Sequence, residues 1–128
     1  MSNTRISPTG IAPPAANYVH AMKSTMSSIM VHTSGVVPVA PDGSVPDDIS
    51  QQARTVWANI SVILAEASTT VADIVSVTTY VIPGQDMAAV MAERDAALGD
   101  HMAASTLVTV AELAQPSWRL EVAVVAAR

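Results

Sequence analysis

Cysteine is absent from the 128-residue chain. That excludes a disulfide framework, a thiol nucleophile and any Cys-ligated metal. Phenylalanine is absent too, so the core must be filled by Ala, Val, Ile and Met. Charge is scarce: Asp, Glu, Lys and Arg make up 13% of the residues, about half the usual share. A small domain this poor in charge cannot cover all of its apolar surface alone, and an oligomer is expected. The net charge is −5 and no run of Lys or Arg occurs. Nucleic acid is therefore not expected as a partner, because phosphate binding needs clustered cations. Residues 1–10 lack the apolar segment of a signal peptide, and polar residues interrupt every apolar run well short of a membrane span. A soluble cytoplasmic protein is expected. No Gly-x-Ser-x-Gly turn occurs, so a Ser-His-Asp hydrolase has no support. His20, His32 and His101 fall at no metal-ligand spacing, and neither a metal nor a cofactor is expected.

What the chain does contain is a single domain, residues 1–128, with 50% hydrophobic residues. Its last stretch, Trp118 to Arg128, organises the rest. Alternation puts Trp118, Leu120, Val122, Val124 and Ala126 on one face, and Arg119, Glu121, Ala123, Val125 and Ala127 on the other. Both faces are apolar beyond Glu121, as in a central strand covered on both sides. A carboxylate is costly to bury there without a partner, which makes Glu121 the first candidate site residue.

Upstream, Pro8, Gly10, Pro13 and Pro14 mark an irregular lead-in over Ser7–Ala16. Tyr18–Lys23 and Ile29–Ser34 read as strands joined by a polar turn, Ser24–Ser28, in an antiparallel hairpin. After a Pro- and Gly-marked loop, Asp47 or Asp48 can cap a helix. Its apolar stripe is Ile49, Ala53, Val56, Trp57, Ile60, Ile63, Leu64 and Ala67; Gln52, Arg54, Asn59 and Glu66 lie on the other face. Asp73–Ile82 is a β-branched strand. Asp86 can cap a second helix, about Met87–Gly99, with Val90, Met91, Ala97 and Leu98 inward and Arg94 snorkelling. Ser105–Val110 is the next strand. The order is β-β-α-β-α-β-β, an α+β fold with one mixed sheet and two helices on one face. The strands alternate little in polarity, so a second copy is expected over the bare face, with ligand clefts between subunits.

This order, from about Pro13 to Ala127, resembles the RidA family, also called YjgF/YER057c/UK114. The matching pieces are Tyr18, Thr33-Ser-Gly-Val-Val-Pro38, the helix after Asp48, Val75–Ile82, the second helix, Ser105–Leu113 and Leu120-Glu-Val-Ala123. The resemblance implies a chorismate-mutase-like fold and a homotrimer. Its sheets would line a central barrel, with a cleft at each subunit interface. Active relatives hydrolyse enamines and imines to 2-keto acids and ammonia, using a Tyr, a Ser before Gly, an Arg for the substrate carboxylate and a Glu that positions water. Tyr18, Ser34 and Glu121 match three of these positions. The family's Pro-Ala-Arg-Ser/Thr falls on Ala103-Ala-Ser-Thr106, so Ser105 stands where the Arg would be. Met91 replaces a common Asn, Val36 a common Gln, and the Ser24–Ser28 turn carries extra residues.

The resemblance makes Glu121 the candidate catalytic base, or else a structural carboxylate paired with Arg119 or a neighbouring subunit. Tyr18, Ser34, Gly35, Ser105 and Arg119 are the candidate substrate-binding residues. Tyr18 can equally be an interface aromatic, and Ser34-Gly35 a strand-ending turn. Arg119 shares a face with Glu121 and could replace the missing cation. His32 could share a face with Ser34, but all three histidines read first as satisfied or surface groups. Three functions stay open. One is a RidA-like hydrolase acting on a ligand without the usual carboxylate. The second is a trimer that binds or senses a small metabolite without catalysis. The third is the usual 2-iminobutanoate/2-iminopropanoate deaminase with its cation supplied elsewhere.

Overall fold

In the computed structural model the chain folds as α+β, and residues 2–25 and 28–128 are described. The strands are β1 (Ser2–Ile6), β2 (Ala21–Thr25), β3 (Met30–His32), β4 (Ile74–Val81), β5 (Ala104–Thr109) and β6 (Leu120–Ala127). The helices are α1 (Ile49–Glu66) and α2 (Met87–Leu98), and a 3₁₀ turn, Val71–Asp73, leads into β4. Asp48 caps α1 by accepting from the Gln51 N–H at 3.1 Å. Asp86 caps α2 through the Ala89 N–H at 3.2 Å. Gly99, at φ 59°, ends α2 in the left-handed region that favours glycine.

The four main strands run in the order β3-β6-β4-β5, with β4 and β5 parallel and β6 antiparallel to both of its neighbours. Both helices pack on one face of this sheet. Val56, Trp57, Ile60 and Leu64 from α1 and Val90 and Leu98 from α2 join Val77, Val81, Leu120, Val122 and Val124 in one core. On the other face the register aligns Ser76 with Val125, Thr78 with Ala123 and Tyr80 with Glu121, all half-buried. No helix among the described residues is long and apolar enough to cross a membrane.

Several expectations are corrected. A strand not foreseen, β1, precedes the others and pairs antiparallel with β2 in a separate two-stranded sheet, so the strands form two sheets, not one. The sequence Ser-Asn-Thr-Arg-Ile has no apolar alternation. Backbone pairing holds it, together with a Ser24-to-Asn3 side-chain bond at 2.7 Å. The hairpin between the second and third strands does not form. The N–H groups of Ser28 and Ile29 both donate to the Arg128 carbonyl, which draws β3 onto β6 instead. Part of the Ser24–Ser28 turn lies outside the described residues. Tyr18–His20 precede β2 rather than belong to it, and Val19 bridges to Ala104. Trp118 and Arg119 likewise precede β6.

On α1, Ile63 is 39% exposed while Gln52, expected on the polar face, is 1% exposed. Gln52 is inward because its amide is fully used: Nε2 donates to the Pro46 and Ser117 carbonyls, and Oε1 accepts from the Arg119 N–H at 2.9 Å. It ties the start of α1 to the start of β6, two residues before Glu121. Arg94 does not snorkel. It is 5% exposed, and its Nε and Nη2 donate to Asp95 Oδ1.

Ile60 is fully buried between α1 and the sheet. Ile60→Ala is expected to cost about 2–5 kcal/mol, and Asp48→Ala, which removes only the cap, about 1 kcal/mol. Denaturant unfolding of both variants checks the difference.

Candidate functional site

Beyond β3 the chain keeps pairing with β6. The Thr33 N–H donates to the Val124 carbonyl, the Val124 N–H donates to Thr33 Oγ1, and Val36 exchanges both backbone bonds with Val122. This fixes Ser34 and Gly35 against the middle of β6. The Glu121 side chain lies directly over Gly35. A Cβ added at Gly35 would collide with Glu121 Oε2 and come within 2.6 Å of Cδ. Gly35 is thus required by space and not by its backbone angle. The group approaching its Cα is the Glu121 carboxylate.

Among the described residues the ion pairs are Arg54–Glu93 and Arg94–Asp95, and Glu121 has no ionic partner there. A pairing with Arg119 is not seen. The Arg119 backbone is held by Gln52 and, through its carbonyl, by the Ile82 N–H. Beside Ser34 and Gly35 opens a hollow of about 650 Å³, walled by Val37, Val39, Val62 and Ile63, with His32 also on its lining. Val62 is 70% exposed there. The loop that carries Pro41 into this wall is braced by Asp42. Its carboxyl accepts from the Ser44 hydroxyl and N–H, and these bonds hold it below the ordinary carboxylate range.

Tyr18 lies elsewhere. Its ring meets His20 edge-on at 6.5 Å, and its hydroxyl accepts from the Ala15 N–H at 3.4 Å. The Val19 N–H donates to the Ala103 carbonyl, which fastens this segment beside the start of β5. Tyr18 lines a second hollow, of about 520 Å³, with Arg5, Ser7, Asn17 and Met102. Nδ1 of His20, next to Tyr18, is buried without a hydrogen-bond partner among the described residues. Ser105 pairs with Val77 and so points to the helix-covered side of the sheet, whereas Glu121, paired with Tyr80, is on the open face.

The structure therefore brings Ser34, Gly35 and Glu121 together at the β3 edge, and sets Tyr18 and Ser105 at the β5 edge. Glu121, on β6, is two strand spacings from Ser105 on β5 and three from the Tyr18 segment beyond it, roughly 10 and 15 Å. Arg119 lines neither hollow. Two polar groups at these hollows carry little sequence signal. Arg5 sits in a strand without periodicity. His32 is marked only by its position two before Ser34. No group of three or more His, Cys, Asp or Glu residues placed to hold a metal ion occurs among the described residues.

The profile of the Endoribonuclease L-PSP family, the RidA/YjgF family, matches residues 9–128, and the chain belongs to that family. A 2-iminobutanoate/2-iminopropanoate deaminase of Salmonella typhimurium is 38% identical over 103 residues, 77% of this chain and 80% of that protein. A RutC family protein of Haemophilus influenzae is 48% identical over 65 residues, which span half of each chain. The crystal structure of the Rid family protein YyfB of Yersinia pestis superposes over all of both chains with a TM-score of 0.88 at 28% identity. Escherichia coli TdcF, solved with bound serine, has a TM-score of 0.73 at 31% identity over 98% of this chain and 99% of its own.

The Gly35–Glu121 contact makes a direct prediction. Gly35→Ala is expected to destabilise by about 1–3 kcal/mol through overpacking. In a Glu121→Ala background most of that cost should vanish, because the colliding carboxylate is gone. A double-mutant cycle by denaturant unfolding measures the coupling.

Proposed function

We propose that this chain is a cytoplasmic homotrimeric hydrolase of imines or enamines, with Glu121 as the base and each cleft completed by two subunits. We further propose that its substrate does not carry its carboxylate on the carbon next to the C=N group. The Gly35–Glu121 contact carries the reading: a carboxylate with no ionic partner among the described residues, seated over Gly35 next to Ser34 in the chain, is poised to accept a proton from water. The deaminase name of the Salmonella relative and the serine in TdcF support an amine-bearing small molecule as ligand. The endoribonuclease name of the family is not carried over, because a net charge of −5 without a basic run suits no polyanion.

Assembly is supported by the separation of the candidate residues. Glu121 meets Tyr18 and Ser105 only if the β3 edge of one copy faces the β5 edge of the next. The unpartnered nitrogen of His20 and the 40% exposed Val108 on β5 suit such a contact, since a buried polar atom left unpaired is costly.

In the reaction, water adds through oxygen to the C=N carbon. Glu121 takes one of its protons and passes it to nitrogen, giving a carbinolamine. The C–N bond then breaks as the hydroxyl proton moves to nitrogen, leaving a carbonyl product and ammonia.

The substrate reading rests on Ser105, which faces the helical layer at the β5 edge and stands at the position of the family's Arg. An Arg at this position would offer a bidentate charged clamp. Each charged hydrogen bond is worth about 1.5–3 kcal/mol against about 1 kcal/mol for a neutral one. Two such bonds exchanged for one hydroxyl should weaken a 2-imino acid by orders of magnitude. Wild-type protein is expected to hydrolyse 2-iminobutanoate, generated enzymatically, little faster than buffer does, and Ser105→Arg to gain activity. An imine without that adjacent carboxylate is expected to be hydrolysed, with Glu121→Gln lowering kcat by about 10²–10⁴-fold. Rapid loss of 2-iminobutanoate with the wild-type protein contradicts the specificity. Binding without hydrolysis of any imine points to a metabolite-binding trimer instead.

A further inference from the structure

With Ser105 at the usual position of the clamp, the remaining cations can be taken one at a time. The chain has six Lys and Arg residues. Arg54 is bound by both carboxylate oxygens of Glu93 on the helical layer. Arg94 is buried against Asp95. Arg128 donates to the Ser68 carbonyl. Lys23, opposite Thr4 on the two-stranded sheet, and Arg119 line neither hollow that holds a candidate residue. Arg5 is the exception, since it lines the hollow of Tyr18.

Arg5 is also available. One of its five N–H groups donates to the Asp100 carbonyl at 3.0 Å, and it forms no ion pair among the described residues. Asp100 meets Arg5 through its carbonyl and forms no ion pair with it among the described residues, and the Asp95 carboxylate is already held by Arg94 and by the Asn17 amide at 3.1 Å. The anchoring bond to Asp100 orients the guanidinium without neutralising it. Ser7 and Tyr18 line the same hollow, so a cation and two hydroxyl-bearing residues border one open space.

We propose that Arg5 and Tyr18 form an anion-binding subsite, which takes a carboxylate or phosphate carried on the substrate several bonds away from its C=N carbon. This rests on the hydrolase reading above and deepens it. The distance follows from the chain path. Arg5 is anchored at Asp100 and lies beside Met102, three residues before Ser105. That puts the charge on the order of 10 Å along the chain from the position of the missing clamp. A short 2-imino acid cannot span from there to a base that acts beside Ser105. A longer molecule with a terminal anion can. The β1 strand then has a purpose that its polar sequence does not explain by core packing.

Two measurements on the intact oligomer test this. The first compares kcat/KM for an imine bearing a terminal carboxylate with that for a neutral imine of equal length. In Arg5→Gln the ratio should fall tenfold or more, mainly through KM, and Arg5→Lys should restore part of it. Arg54→Gln, on the helical layer, is the control for loss of charge alone and should leave the ratio within twofold. An unchanged ratio in Arg5→Gln overturns the proposal. The second measurement is calorimetric binding of succinate and of inorganic phosphate, which needs no catalysis and therefore stands if the hydrolase reading fails. Binding to wild type that weakens tenfold or more in Arg5→Gln supports the subsite, and the tighter of the two probes identifies the anion. Equal binding, or none, by wild type and variant overturns it.

Discussion

The contact between the Glu121 carboxylate and the Gly35 Cα is the constraint on which the candidate site depends. It exists because the chain after β3 continues to pair with β6, so that Thr33 and Val36 bracket the glycine on the same strand that carries the glutamate. Any side chain at position 35 would occupy the space of the carboxylate. The strand carrying Glu121 is in turn set in register by Gln52. Its buried amide holds the backbone at Arg119 and, at the same time, the loops before α1 and β6. Core packing, one saturated amide and one missing Cβ therefore converge on the orientation of a single acid.

On the proposed reading that acid is only half of a site. The same sheet that presents Glu121 on its open face near one edge carries Tyr18 and Ser105 at the other edge. Within one chain the β-sheet geometry keeps the two groups apart; side-by-side copies, as proposed, would remove the separation without any rearrangement of the fold. The composition points the same way. A domain with 13% charged residues leaves Val62 and Val108 exposed, and residues such as these suit contact between copies. On the proposed reading, specificity depends on which cation reaches the cleft, because a neutral hydroxyl at position 105 cannot hold an anion as a guanidinium does.

Much of the fold was legible in the sequence. Both helices, their Asp48 and Asp86 caps and the strands β4, β5 and β6 follow from apolar period, capping chemistry and β-branched runs. The α+β class and the family follow from their order. What was not legible had weak local signals. β1 is a polar pentapeptide whose partner lies nearly twenty residues on, and pairing at that distance leaves no periodic trace. Gln52 looks polar and surface-bound in a helical wheel, and only the three backbone groups around it explain its burial. Arg94 looked able to snorkel because its acceptor, Asp95, is its immediate neighbour, which helical spacing does not advertise. At the site, the role of Glu121 and the identity of Gly35 could be read as candidates, but the contact between them is a tertiary fact. The same holds for Arg5, which no pattern in the sequence singles out.

The central claim is that acid and tyrosine act together across a boundary between copies. Subunit complementation tests it most directly. Glu121→Gln and Tyr18→Ala proteins, each impaired alone, are dissociated, mixed and reassembled, and imine hydrolysis is measured before and after mixing. The account predicts that activity returns in the mixture, because some interfaces then pair an intact acid from one copy with an intact tyrosine from the next. A mixture no more active than its two components would contradict it.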